Sequence, residues 1–482
     1  MSIESRNAET GPPSTETRLS GNMGVLDVMF TVLAYNGPAV VLMGFVPVCI
    51  LLGNGLGTPV LYLAAGLLIM VIAAGLLKVQ SFTQRPGGFY SIITAGLGKK
   101  IGLTAGFGAL VTYTGALIAV YALGGTAFQD IVTDLFHGPE VPWWIGGIIV
   151  FGISAALGYF NISISAKVLY VALGLELVVI VAYIVAVLVQ GGAHGIEFTS
   201  FTPSSFFSGS LAIGALFAVG LYGGFEATLI FRDEVRDPNR TIPRATYGTA
   251  VVIAVSYAGL AWAFINAYGG DVVMDVLTEN VTDSAGMSVR EYVGEFAYYA
   301  VIVLLFTSCV ALAISAHNIL SRYIYNLAAD NVLPQQFSVT HPRHRSPHRA
   351  SMVVTTAGAA ILLALIFSAI PQNYLYGFIA GIYSYGMLFM MTLVSFAMAF
   401  FLFKKLGSKS LVGVLLSVVF IIMLSILVFA SMNFDLLSGL EGAVGTAVVV
   451  LIWLFMLSGY LLASRLKKTK PEVYAKIGRE EV

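Results

Sequence analysis

The chain has 482 residues, of which 58% are hydrophobic and only 10% charged, with a mean hydropathy of +0.88. Soluble domains carry about 25% charged residues, so a globular or nucleic-acid-binding protein is excluded and an integral membrane protein is expected. Net charge is zero, so the placing of the charges says more than their sum.

In chain order, residues 1–24 are polar, rich in Ser and Thr, with Pro12 and Pro13. They lack the apolar core of a cleavable signal and read as a disordered cytoplasmic tail. A membrane span needs about 20 mostly apolar residues. Twelve stretches qualify, near 25–52, 58–80, 101–127, 142–160, 168–190, 208–231, 247–268, 296–320, 351–370, 373–402, 410–431 and 442–463. The fold class is therefore all-α, with no soluble domain between spans. The longest outer connection is about 269–295, and a tail follows from 465 to 482. The two cysteines, Cys49 and Cys309, fall inside apolar stretches and offer neither a disulfide framework nor metal spacing.

Orientation follows from lysine and arginine, which concentrate on the cytoplasmic side. With twelve spans and an inside N-terminus, all 25 of these residues except Arg290 fall inside. The outer side collects Asp271, Asp275, Glu279, Asp283, Glu291 and Glu295 instead. Losing or adding one span would scramble this sorting, so both termini are expected in the cytoplasm.

Two spans read as broken. The first carries Asn36-Gly37-Pro38 near its middle, with a second candidate break from Gly44 to Pro47. Proline removes a backbone donor and glycine frees the chain. The sixth carries Gly220, Gly223 and Gly224, then the carboxylate Glu226. Each break opens a half-helix with free carbonyls and another with free N–H groups, carrying roughly −0.5 and +0.5 of a charge. A zwitterion fits such a pair: the N–H groups take its carboxylate and the carbonyls its ammonium. The expected substrate-binding residues are Asn36, Gly37, Pro38 and Ala39 in span 1 and Gly220, Tyr222, Gly223 and Gly224 in span 6. Interrupted spans at matching places in two halves point to a transporter site, with spans 1–5 and 6–10 as inverted blocks.

Glu226 begins the inner half of span 6, where it fits either a cap that holds the break open or a gating, proton-linked group. Glu176 lies mid-way along span 5 with no local partner. A carboxylate there is costly and should face the bundle interior. With no cation beside it, desolvation favours its neutral form. It suits either proton coupling or a protonated, hydrogen-bonded structural role. His317, Asn318, Tyr113 and Tyr121 read as structural, and the loop histidines His341, His344 and His348 as loop or lipid contacts rather than a metal site. No cofactor is expected.

These motifs resemble one family, the amino acid–polyamine–organocation transporters. The resemblance rests on Gly224-Phe225-Glu226 followed by Glu234-Val235-Arg236-Asp237-Pro238-Asn239-Arg240-Thr241-Ile242-Pro243-Arg244-Ala245. Pro86-Gly87-Gly88-Phe89-Tyr90 and Ser321-Arg322 with Ala329-Asp330-Asn331-Val332-Leu333-Pro334 are similar to two further elements of the family. It covers roughly 25–465 and implies the leucine-transporter fold. That means a core over 25–402, in inverted five-helix repeats of about 25–190 and 208–402, plus two peripheral helices over 403–464. The family's first span commonly breaks at a Gly-Ser-Gly-type run; here that place falls at Asn36-Gly37-Pro38 or near Gly44. Asn331 and Ala329 stand where the family has glycine and arginine. Sodium-coupled members of the fold hold an ion between spans 1, 5 and 8, and many proton-driven members place a lysine on span 5, where this chain offers Glu176.

The expected function is secondary active transport of an amino acid or related amine across the cytoplasmic membrane by alternating access, with the proton as coupling ion. The alternatives are an exchanger of the same solutes and a membrane sensor that binds without moving them. A membrane enzyme would need a gathered nucleophile and base or metal ligands, and no H-E-x-x-H or G-x-S-x-G context exists. A nucleotide-driven pump lacks its phosphate loop. The scarcity of intramembrane acids beyond Glu176 and Glu226 argues weakly against a polyamine.

Overall fold

A computed structural model describes residues 23–82, 89–160, 166–225, 235–341, 346–407, 409–438 and 443–478. Among these residues every regular element is helical, apart from one isolated bridge between Met23 and Val235. Nine helical stretches are long and apolar enough to cross a membrane, and two shorter apolar helices, Trp143–Tyr159 and Leu211–Gly220, join them. Helices are the natural outcome, since in lipid each backbone polar group must find its partner within its own segment.

Span 1 is split into α1 (Val25–Asn36) and α2 (38–54), and α3 (Thr58–Gln80) follows. A surface helix, α4 (Phe89–Leu97), leads into α5 (Lys99–Asp130), then α6 (Trp143–Tyr159) and α7 (Ala166–Gln190). After the short α8 (Leu211–Gly220) come α9 (Pro238–Tyr268), two small helices α10 (Val273–Glu279) and α11 (Ser284–Tyr292), and α12 (Glu295–Ala329). The chain ends with α13 (His348–Ile366), α14 (Gln372–Leu406), α15 (Leu411–Met432), α16 (Val444–Thr469) and α17 (Pro471–Lys476). The 269–295 connection is thus two packed helices rather than an open loop. The eighth span runs nine residues past its expected end at 320, because helix continues beyond the apolar run.

At the centre, α5 packs against α12 and α14, while α3 packs against α9 and the α2–α8 pair. The outer helices show what faces lipid. On α7, Leu173, Glu176, Ile180, Tyr183 and Val187 are buried, while Val171, Leu175, Val178, Val181, Val185 and Val189 are exposed. Spacings of three and four put each set on its own side of one helix. Glu176 therefore holds a core position on a helix whose other side is apolar and bare.

The C-terminal stretch packs back onto the helices. Val473 and Ile477 are buried with Leu103, Phe107, Leu327 and Leu466 in a cluster separate from the main core. The Gly478 N–H donates to the Tyr90 hydroxyl at 3.1 Å, and the Lys99 ammonium donates to the Ala475 carbonyl.

Candidate functional site

The break in span 1 falls at Gly37. Its φ of +52° is in the left-handed region, which ends α1 after Asn36. Pro38 then opens α2 at the first helical position, where its missing N–H costs nothing. At the second candidate, Gly44 to Pro47, the helix does not break. Residues Val41–Phe45 and Cys49–Asn54 form wider π turns on either side of Pro47. Such turns absorb the donor that proline lacks. Gly44 serves packing: a Cβ there would lie 2.6 Å from the Tyr376 ring.

The break in span 6 starts where α8 ends at Gly220, followed by turns through Gly224, whose φ is +85°. One of its carbonyls bonds α14. The Tyr383 hydroxyl donates to the Gly220 carbonyl at 3.0 Å. A Cβ on Gly220 would meet Ser384 Oγ at 2.2 Å, and one on Gly223 would meet Tyr383 Oη at 2.0 Å. Tyr222 turns away, its hydroxyl donating to the Tyr62 carbonyl on α3 at 3.2 Å. Glu226 and the arginine-bearing loop up to Glu234 lie outside the described residues, as do Pro86-Gly87-Gly88.

The two breaks meet α5, α12 and α14 around a small cavity of about 60 Å³. Gly220 and Leu221 line it from span 6, and Val40 and Phe45 from α2. Ala116, Ala119 and Val120 of α5 and Leu312 and Ala316 of α12 form an apolar wall. Tyr376 and Tyr383 add hydroxyls from α14. The Tyr376 hydroxyl and Ser384 Oγ are buried without a hydrogen-bond partner. The Phe45 ring stands edge-on to Phe217, Tyr376 and Tyr383, with centroids 6.1 to 6.5 Å apart.

A second, larger cavity of about 670 Å³ opens beside α10 and α11 and is lined by Asp130, Asp134, Glu140, Glu279 and Asp283. Gln372 and Asn373 also line it, one helical turn before Tyr376. Helix α14 thus lines both cavities, with Gln372 and Asn373 at the larger one and Tyr376 and Tyr383 at the smaller.

Glu176 is 3% exposed and does not line the small cavity. One of its oxygens accepts the Ala39 N–H at 2.9 Å, and the other accepts the Ser308 hydroxyl. The carboxylate therefore caps the half-helix that starts after the break in span 1, from a third helix, and ties α7 to α12. A free N–H at a helix start favours negative charge. Among the described residues the Tyr257 hydroxyl of α9 is buried without a hydrogen-bond partner.

The family model for amino acid permeases matches residues 28–462. The chain belongs to that family. The permease is similar to the low-affinity putrescine importer of Escherichia coli K12, 24% identical over 376 residues, which cover 76% of this chain and 79% of the relative. It is also similar to a serine/threonine exchanger of Bacillus subtilis, 25% identical over 290 residues, covering 58% and 62% of the two chains. Cationic amino acid transporter 5 of Arabidopsis thaliana is 24% identical over 319 residues, covering 65% and 51%. The permease is thus a multi-pass membrane transporter.

Of the residues expected at its site, Gly37, Pro38, Ala39, Gly220, Gly223 and Gly224 form or flank the two breaks, and Glu176 joins them through Ala39. Tyr222 does not face the cavity. Sequence reasoning placed α14 as a span near 373–402 but gave it no part in the site, although Tyr376 and Tyr383, seven residues apart, fall on one helix face. It also missed Ser308, a hydroxyl in an apolar run one turn from Leu312. Three of the four residues read as structural are engaged: the His317 ring bonds Ser351 Oγ at 2.8 Å, Tyr121 bonds Ser154 Oγ at 3.1 Å, and Tyr113 lies 5.9 Å from the Tyr323 ring.

Proposed function

We propose that the permease is a secondary active transporter that moves an amino acid or related amine by alternating access, coupled to protons through Glu176. In this reading it has twelve spans, with the two inverted repeats of the leucine-transporter fold over 25–190 and 208–402. Two peripheral helices follow within 403–464, and both termini are cytoplasmic. The solute binds at the breaks, with Asn36, Gly37, Pro38 and Ala39 on one side and Gly220, Gly223 and Gly224 on the other. Glu226 is the second carboxylate proposed for gating or proton linkage.

The observation that carries the coupling role is the bond from the Ala39 N–H to Glu176, reinforced by Ser308. Hydrogen bonds to an ionised carboxylate are roughly twice as strong as neutral ones. Ionised Glu176 therefore clamps α2 to α7 and α12. Protonation weakens the clamp and frees the Ala39 N–H, so proton binding and the angle of span 1 are linked. The named function of the Escherichia coli relative supports uptake, and that of the Bacillus subtilis relative keeps exchange as the second reading.

The test uses proteoliposomes. Wild type is expected to accumulate solute on an inward proton gradient without sodium. Glu176→Gln keeps the shape of the neutral acid and is expected to lose accumulation while retaining exchange. Accumulation by Glu176→Gln on a proton gradient alone would remove Glu176 from the coupling role.

A further inference from the structure

We infer that the solute is a neutral amino acid with an apolar side chain, and that Ala116, Ala119, Leu312 and Ala316 form the wall that reads that side chain. This rests on the transport reading above and narrows it.

Among the described residues that line the small cavity, none is acidic or basic. Its polar groups are the backbone at Gly220 and the hydroxyls of Tyr376 and Tyr383. They suit the polar end common to every amino acid. Tyr376 is 4% exposed and its buried hydroxyl has no hydrogen-bond partner among the described residues, so a solute would satisfy it. The opposite wall offers only carbon. Ala116 and Ala119 lie on α5, and Leu312 and Ala316 are one turn apart on α12.

A diamine or a basic amino acid would push its far ammonium against that wall. A buried charge without a counter-charge is heavily penalised. Glu176 is not that counter-charge, because it lies behind Ala39, outside the cavity, with both oxygens occupied. The acidic residues of the larger cavity are no counter-charge either, since none of them lines the small one. The alanines also set a size rule. Where a pocket is apolar, one methylene changes selectivity by about 10- to 200-fold. Alanine at three of the four wall positions leaves room that a larger residue would remove.

The experiment is counterflow in liposomes loaded with unlabelled leucine, following entry of radiolabelled leucine. Unlabelled leucine, valine and alanine are expected to compete, whereas putrescine and lysine compete at least about 10-fold less well. Ala119→Leu is expected to lower leucine entry at least about 10-fold and to spare alanine. Ala119→Gly adds no clash and enlarges the same wall, so despite the cost of glycine within a helix it should improve competition by phenylalanine. Competition by putrescine or lysine equal to that of leucine would overturn the inference while leaving transport intact. Equal loss of leucine and alanine in Ala119→Leu, with phenylalanine unchanged in Ala119→Gly, would overturn the wall. Silence for every solute would overturn the transport reading and this inference with it.

Discussion

Tyr383 and Gly223 form one device. The tyrosine hydroxyl fills the space a Cβ on Gly223 would need, and it is held there by its bond to the Gly220 carbonyl. The same carbonyl also accepts the Gly223 N–H at 3.1 Å, so displacing the tyrosine removes one of its two hydrogen bonds and leaves the buried Tyr383 hydroxyl without that partner. Gly223→Ala is therefore expected to push Tyr383 off the carbonyl and cut solute binding strongly, with the fold kept. Tyr383→Phe should weaken binding less, since it removes the bond but not the ring. In the Tyr383→Phe background, Gly223→Ala should cost much less than in wild type, because the clashing atom is gone. Solute-dependent thermal shifts of the four proteins in detergent read this cycle, and strict additivity would show that the two residues act separately. The crowding of glycines was legible in sequence. What it accommodates was not, because the partner side chain sits on α14, more than 150 residues away, and no local pattern announces such a pairing.

At the scale of elements, the two candidate breaks of span 1 show what sequence can decide. Both pair glycine with a nearby proline. At Gly37 the left-handed φ takes the chain out of the helix before Pro38, so the break is real. At Pro47 no residue between Val41 and Val48 leaves helical geometry, and the π turns take up the strain. Gly44 instead gives room to the Tyr376 ring, a tertiary contact with no local sequence signal. The C-terminal tail gave no such signal at all. It is short and charged, and its two apolar anchors, Val473 and Ile477, are too few to show a period. Fully burying an aliphatic side chain contributes about 1.5–3 kcal/mol. Removing residues 471–482 should therefore lower the melting temperature in detergent by several degrees. Ile477→Asp should reproduce most of that loss, since Ile477 is only 2% exposed. A melting temperature unchanged by both would mean that α17 is not docked on α4 and α5 in solution.

For the whole molecule, the legible part was the all-helical architecture and the places where helices run. Apolar runs and flanking charges mark helices that must satisfy their own backbone in lipid. Orientation makes the sharpest global prediction. If all lysines and arginines except Arg290 face the cytoplasm, the start of α9 and the α11 helix lie on opposite sides of the membrane. Asn239 and Glu291 are both exposed and mark those two places. The native cysteines Cys49 and Cys309 are both buried, so the unmodified permease should give little background with a membrane-impermeant thiol reagent. Glu291→Cys is expected to label from outside intact cells. Asn239→Cys should label only after the membrane is opened. The acidic cavity beside α11 would then face outward, and the Lys99 and Tyr90 seat of the C-terminal helix inward. Labelling of Asn239→Cys in intact cells would reverse the orientation, and with it the direction in which a proton reaching Glu176 drives the solute.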